Sequence, residues 1–230
     1  MMKVLAFDTS SKALSVSILD GDDLLADITI NIKKNHSVSL MPAIDFLMQS
    51  INWAPKDLDR IVVAEGPGSY TGLRVAVATA KMLAYSLKIE LVGVSSLYAL
   101  TAGVSDTDLV VPLMDARRNN VYIGFYENGR AIEPDHHAAF EEVLAFLKDK
   151  ESVHFVGEVS AFRSQIEAAL PNAQITETLP SAQAIGRLGQ TLEAVNVDAF
   201  VPQYLKRVEA EENWLKTHEA GNTDNYVKRV

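Results

Sequence analysis

Three glycines, Gly66, Gly68 and Gly72, fall in one short break, Glu65-Gly66-Pro67-Gly68-Ser69-Tyr70-Thr71-Gly72, between the apolar run Ile61-Val62-Val63-Ala64 and an alanine-rich stretch reaching Leu87. A glycine turn between a strand and a helix N-terminus is a place where anions are held, because unhindered N–H groups and the helix dipole both favour negative charge. The spacing here is neither G-x-x-x-x-G-K-[ST] nor G-x-G-x-x-G, and no lysine follows Gly72 directly. A tight turn that lets the next helix pack accounts for the same glycines. Arg74, one turn into that helix, is the residue placed to meet an anion or a partner. Ser69 lacks the G-x-S-x-G frame of a nucleophile elbow, and His36-Ser37 reads as a helix start rather than a catalytic dyad. The five histidines, at 36, 136, 137, 154 and 218, form no pair four apart on a helix. Arg117-Arg118 is the strongest local cationic pair, either a solvated hairpin turn or a contact to a carboxylate or nucleotide.

Composition narrows the chemistry. The 230 residues are 48% hydrophobic, enough to bury a core in one or two domains. A formal charge of −9 argues against gripping nucleic acid unaided, since phosphate neutralisation needs clustered Lys and Arg. The absence of cysteine excludes disulfides, thiolate zinc sites and a thiol nucleophile, and suits the cytoplasm. Asp8 ends the apolar start too early for a signal peptide, and Lys81 interrupts the longest apolar helical stretch, so a soluble protein is expected, with no membrane contact.

The elements that must carry these residues follow from periodicity. Lys3 to Thr9, Leu14 to Ile18, half-exposed by its alternation with Ser15 and Ser17, and Leu24 to Ile32 read as three antiparallel strands, the last two joined at Asp20-Gly21-Asp22. A helix capped by Ser37 or Ser39 runs to about Ile51, then come the Ile61 strand, the glycine loop, a helix from about Thr71, a strand at Glu90 to Val92 and a helix from Ser95 to Ala102. The second half repeats the pattern. Strands at Leu109 to Asp115, Val121 to Tyr126 and Arg130 to Ile132 precede helices at Phe140 to Lys148, Ser160 to Leu170 and Ala182 to Val195, with strands at Val153 to Val156 and Ala173 to Thr176 between them. Two tandem βββαβαβα domains are expected, over 1–104 and 105–230, the latter ending in a polar tail in which Trp214 and Leu215 could dock.

The Thr71 helix is apolar nearly all round: Leu73, Ala76, Val77, Ala80, Leu83, Ala84 and Leu87 make one face, Val75, Ala78, Thr79, Met82 and Tyr85 cover much of the rest, and only Arg74, Lys81 and Lys88 form a charged stripe. Such a helix packs on its own sheet and on something else.

A duplicated βββαβαβα unit resembles the actin, hexokinase and sugar-kinase superfamily, an α/β fold related to ribonuclease H. D-T-S-S at Asp8 to Ser11, H-S-x-x-L-M-P at His36 to Pro42, G-P-G-S-Y-T-G-L-R at Gly66 to Arg74, Ala80-Lys81, D-A-R-R at Asp115 to Arg118 and P-x-Y-L at Pro202 to Leu205 narrow this to a resemblance with the bacterial TsaB family. The resemblance covers Lys3 to about Lys206. It implies a non-catalytic subunit that binds the catalytic subunit TsaD, supports transfer of threonylcarbamoyl to the tRNA adenosine next to the anticodon, and meets the ATPase TsaE and tRNA only through the complex. It also implies an interface formed by the two N-terminal-half helices, at Leu40, Met41, Ile44, Leu73, Arg74, Val77, Ala80, Lys81 and Ala84, used by a second copy when the partner is absent. Val77→Glu or Ala80→Glu would then abolish association and leave the fold.

Kinases of the superfamily carry glycine-rich phosphate loops, whereas Asp8-Thr9-Ser10-Ser11 and Asp115 to Asn120 put side chains in that place. Ser96 and Leu100 stand where TsaD has its metal-binding histidines. The chain is therefore expected to hold no catalytic residue, cofactor or metal, with ATP or ADP and metal on the partner subunits. The alternatives are a stand-alone small-molecule kinase of the same fold and a glycoprotease-like peptidase.

Overall fold

The computed structural model describes residues 1–32, 35–104 and 108–206. Strands β1 (Lys3–Asp8), β2 (Leu14–Asp20), β3 (Asp23–Ile30), β4 (Arg60–Gly66) and β5 (Glu90–Ser95) form one sheet in the order β3-β2-β1-β4-β5. β1 pairs antiparallel with β2 and parallel with β4, with Leu5 opposite both Ile18 and Ile61. The second sheet, from β6 (Leu109–Asp115), β7 (Asn120–Glu127), β8 (Arg130–Ala139), β9 (Val153–Gly157) and β10 (Gln174–Glu177), has the order β8-β7-β6-β9-β10 and the same strand senses. The duplicated unit is thus present as two superposable sheet topologies of the actin/hexokinase-like kind.

Alternation of side chains across the first sheet gives it two buried faces. Leu5, Phe7, Val16, Ile61 and Val63 meet α1 (His36–Ser50) and α2 (Tyr70–Leu87), through Leu40, Ile44, Leu47, Ala76, Val77 and Ala80. Val4, Ala6, Val62, Ala64 and Val92 face the other way, toward Ala182 and Ile185 of α5 (Ala182–Gly189). Gly186 makes that contact close: a Cβ there would lie 2.6 Å from Leu19 Cδ1 and 2.9 Å from Ala6 Cβ. The last helix of the second half therefore covers the first sheet. In the second unit, α3 (Phe140–Leu147) and α4 (Arg163–Ala169) pack on Val111, Ile123, Phe125 and Phe155.

Several sequence expectations are corrected. Asn35, not Ser37 or Ser39, caps α1, accepting from the Ser37 N–H at 3.1 Å while Ser37 Oγ donates to the same oxygen at 2.8 Å. The helix expected over 95–102 is a single 3-10 turn at Tyr98–Leu100. Ser95 Oγ accepts from the Leu97 and Tyr98 N–H groups, and the Ala99 and Leu100 carbonyls are taken by Ser181 and Thr178 of the returning chain. Without that turn extending, α5 occupies the surface a full helix would cover. The third strand of the second unit reaches Ala139 rather than Ile132, pairing along β7 to Asn120; Pro134 is tolerated because β8 is an edge strand. α5 stops at Gly189, short of Val195.

After α5 the chain stays on the first unit. Val195 N–H donates to Leu91 O at 2.8 Å, Phe200 is buried in the α1–α2 core, and Gln203 N–H donates to Glu65 O at 2.7 Å. We call residues 196–206 the strap. The boundary expected between 104 and 105 falls at residues outside those described. The expected polar tail, with Trp214 and Leu215, lies outside the described residues.

Candidate functional site

Two surfaces bring the expected site residues together, a cleft between the units and the outer layer of α1 and α2. The cleft, of about 630 Å³, is bordered by the β1–β2 turn (Ser10, Ser11, Lys12), the start of α2 (Ser69, Thr71, Gly72) and the β6–β7 hairpin (Asp115, Arg117). The glycine loop is closed on its own chain. Ser69 N–H donates to Ser10 O at 2.6 Å, and a Cβ at Gly68 or Gly72 would strike the Ser10 or Thr9 carbonyl. Ser69 Oγ then caps α2 by accepting from Gly72 N–H at 3.3 Å. The glycines serve this packing, and the His36 ring pairs with the Ser11 carbonyl at 2.9 Å rather than with Ser69.

Arg117, Arg118 and Asn119 all have positive φ, at 71°, 55° and 57°, so the arginine hairpin is wound left-handed. Asp115 Oδ1 accepts from Arg117 N–H at 2.7 Å, and Asn120 Nδ2 donates to the Arg117 and Arg118 carbonyls. Neither hairpin offers a glycine nest for phosphate. Burial of Glu158, which accepts from Asp115 N–H at 2.9 Å, raises its pKa above the usual carboxylate range. Ser96 and Leu100 are buried and do not line the cleft. Among the described residues no group of three or more His, Asp or Glu side chains could hold a metal ion.

Asp8 lies at the end of β1, fully buried. One oxygen accepts from Ser10 N–H at 2.6 Å, and the other has no hydrogen-bond partner, as is true of the buried Ser10 hydroxyl. Burial outweighs the Ser10 hydrogen bond and pushes the carboxyl up to about 6. A carboxyl raised on folding contributes stability that is complete below its unfolded value near 3.8 and is lost as pH climbs through about 6. Asp8→Asn is expected to raise stability at pH 7 by about 2–3 kcal/mol and to flatten the dependence between pH 4 and 6, measured by urea unfolding across that range.

The expected interface set divides by burial. Leu40, Ile44, Leu73, Val77, Ala80 and Ala84 are buried within this chain, all but Leu73 in the core that α1 and α2 form over the first sheet. Met41 and Arg74 are exposed and Lys81 is half-buried. The widest apolar arc of α2 is its sheet-facing side, which packs on β4 and β5. What α1 and α2 turn outward is Val38, Met41 and Phe46, and Ala78, Met82 and Tyr85, with Met82 and Tyr85 70% and 72% exposed. The Arg74–Lys81–Lys88 stripe marks the side of α2 turned away from the sheet, though Arg74 and Lys81 are engaged there rather than simply solvated.

Sequence reasoning missed how the strap fastens to α2. Lys81 Nζ donates to the Asp198 and Phe200 carbonyls at 2.9 and 2.8 Å. Tyr204 stacks on Tyr70 with centroids 4.8 Å apart, Arg74 lies 4.2 Å above the Tyr70 ring, and its Nε donates to Tyr204 Oη at 3.2 Å. The P-x-Y-L motif therefore serves the α2 surface. Among the described residues no helix is long and apolar enough to cross a membrane.

Comparisons with known proteins agree with this architecture. The family model for TsaD, tRNA N6-adenosine threonylcarbamoyltransferase, matches residues 23–214. The Bacillus subtilis (strain 168) tRNA threonylcarbamoyladenosine biosynthesis protein TsaB is 40% identical over 227 residues, covering 94% of this chain and 99% of its own. A solved Pseudomonas aeruginosa protein with similarity to the peptidase YeaZ superposes with a TM-score of 0.75 at 25% identity, over 90% of this chain and 100% of that one. YeaZ from Pseudomonas aeruginosa gives a TM-score of 0.73 at 23% identity, over 89% and 100%. With the motif strings, both sheets and the full-length match in accord, the chain belongs to the TsaB family of tRNA threonylcarbamoyladenosine biosynthesis proteins.

Proposed function

We propose that this chain is a non-catalytic partner subunit, which binds a TsaD-like catalytic subunit and supports its transfer of threonylcarbamoyl to the tRNA adenosine next to the anticodon. The observation that carries this reading is the outward apolar layer of α1 and α2, Val38, Met41, Phe46, Ala78, Met82 and Tyr85, on a chain whose own cleft lacks a phosphate nest. Large side chains at 46–72% exposure on two adjacent helices form the patch expected of a binding surface. A second copy uses the same layer when the catalytic subunit is absent.

ATP or ADP and metal belong to the partner subunits. The capped α2 N-terminus and the side-chain-filled hairpins support that division. A charge of −9 supports contact with tRNA through the complex, where other subunits supply the cations. The TsaE-like ATPase joins through the same complex, in the cytoplasm.

Reconstitution tests the proposal. Catalytic subunit, threonylcarbamoyl-adenylate, ATPase and tRNA are expected to give modified adenosine only when this chain is added, while the chain alone neither modifies tRNA nor binds ATP–magnesium by titration calorimetry. Full modification without the chain overturns the subunit role. Micromolar ATP binding by the lone chain favours the kinase alternative, and cleavage of the partner seen by mass spectrometry favours the peptidase.

A further inference from the structure

The strap lies along α2 on the side turned from the sheet. Lys81 Nζ holds the Asp198 and Phe200 carbonyls, Arg74 Nε donates to Tyr204 Oη, and Tyr204 stacks on Tyr70, so the strap runs from beside Lys81 back to the start of the helix. Residues three and four apart are neighbours on a helix surface. Ala78 stands four after Arg74 and three before Lys81, and Tyr85 stands four after Lys81. The outward apolar layer and the cations that grip the strap are therefore adjacent strips of one helix, and the strap borders that layer.

Two fixed points hold the strap. Phe200 is buried in the α1–α2 core, and Gln203 N–H donates to Glu65 O at 2.7 Å. Between them Val201 is held out to solvent, 66% exposed. A stiff side chain on a fastened backbone has little freedom left to lose on burial, which favours its use in binding. Just beyond it, a pocket of about 130 Å³ opens between Tyr70 and Leu73 of α2, Tyr204 and Leu205 of the strap and Tyr122 of β7. A cavity of about 150 Å³ accepts a benzene-sized group, so this pocket matches one apolar side chain. Lys206 lines it, and the Arg74 guanidinium lies over the Tyr70 ring, so its surroundings are cationic. An apolar pocket within a charged rim is the form in which protein interfaces seat an anchoring residue.

We propose that the strap is the third element of the docking surface. Resting on the docking proposed above, the catalytic subunit covers Val201 together with the α1–α2 layer and seats one apolar side chain, flanked by acidic residues, in the tyrosine pocket. Lys81 is a positioning residue: it faces the strap, and through the two carbonyls it holds Val201 and the pocket wall in place.

Calorimetric titration with the catalytic subunit and hydrogen exchange of the complex test the assignment on the whole chain. Val201→Glu is expected to keep the fold and weaken association at least tenfold, as is Leu205→Trp, which fills the pocket; Lys206→Glu is expected to lose at least threefold. Amides over 199–205 should gain at least fivefold protection when the catalytic subunit binds. Lys81→Met is expected to quicken exchange over 196–203 and to weaken association, and Lys81→Arg, which keeps donors for both carbonyls, to restore both. Native affinity in Val201→Glu, or in Lys81→Met once its strap exchange has quickened, overturns the role of the strap. Native affinity in Leu205→Trp overturns the anchored side chain, and in Lys206→Glu its acidic flank. A loss in Met82→Glu beside native affinity in Val201→Glu leaves docking through α2 standing without the strap, whereas a wild-type chain that does not bind the catalytic subunit overturns the docking itself. Strap protection that rises with the concentration of the chain alone, and not with the catalytic subunit, gives the strap to a second copy and overturns the proposal.

Discussion

Met82→Glu and Tyr85→Glu are expected to leave the chain folded and weaken its association with the catalytic subunit at least a hundredfold, while Val77→Glu and Ala80→Glu unfold it. Met82 and Tyr85 stand 70% and 72% exposed on the outer side of α2, where a glutamate meets water in the free chain and loses it only on docking. Burying an unpaired carboxylate costs several kcal/mol, and each 1.4 kcal/mol is about tenfold in affinity. Val77 and Ala80 are 3% and 0% exposed, between α2 and the first sheet, so the same charge acts on folding itself. Domain stability is on the order of 5–15 kcal/mol, within reach of one such substitution. Circular dichroism with calorimetric titration of the partner separates the two outcomes; native affinity in Met82→Glu removes α2 from the interface.

The second large effect concerns Arg60, a buried cation on β4. Its Nη1 donates to Gly189 O at 2.6 Å and Leu192 O at 3.0 Å, and its Nε and Nη2 both reach Glu90 Oε2, at 2.9 and 2.5 Å. This one guanidinium ties the end of α5 to the first sheet. Arg60→Ala orphans two carbonyls and leaves a void, at about 1–3 kcal/mol for each unsatisfied buried group. A loss of about 3–4 kcal/mol is expected, or roughly 10 °C in Tm for a chain of this size. Exchange should quicken first over 189–203. Arg60→Lys should recover only part, since one ammonium cannot reproduce the planar fork. The exposed half of the pair, Glu90, should matter less: Glu90→Gln is expected to cost under about 1 kcal/mol.

Most strands are legible because β-branched runs such as Ile61-Val62-Val63 state their burial in one dimension, whereas the alternation of Leu14 to Ile18 marks a strand but misstates its exposure, Ser15 and Ser17 being buried as well. The duplicated order was legible for the same reason. Long-range facts were not. Ser95 to Ala102 has the composition of a helix, but hydrogen bonds from Thr178 and Ser181, some eighty residues away, fix it as one turn. β8 hides behind Glu133-Pro134-Asp135, which is polar because an edge strand can be. For α2 the sequence discloses two apolar arcs and not which one the sheet takes; the larger arc lies against the sheet. Arg60 carries no local signal, since it gains its role from Gly189 and Leu192, some 130 residues away.

The return of α5 to the first sheet has a consequence for biosynthesis. When β5 leaves the ribosome, one face of that sheet, Val4, Ala6, Val62, Ala64 and Val92, still has no cover. Its cover, Ala182 and Ile185, is roughly 90 residues later, and at about 5–20 residues per second the nascent first unit waits on the order of ten seconds with that surface bare. A ribosome stalled in this interval holds an adhesive half-protein, and a gene cut between the two sheets would encode one permanently.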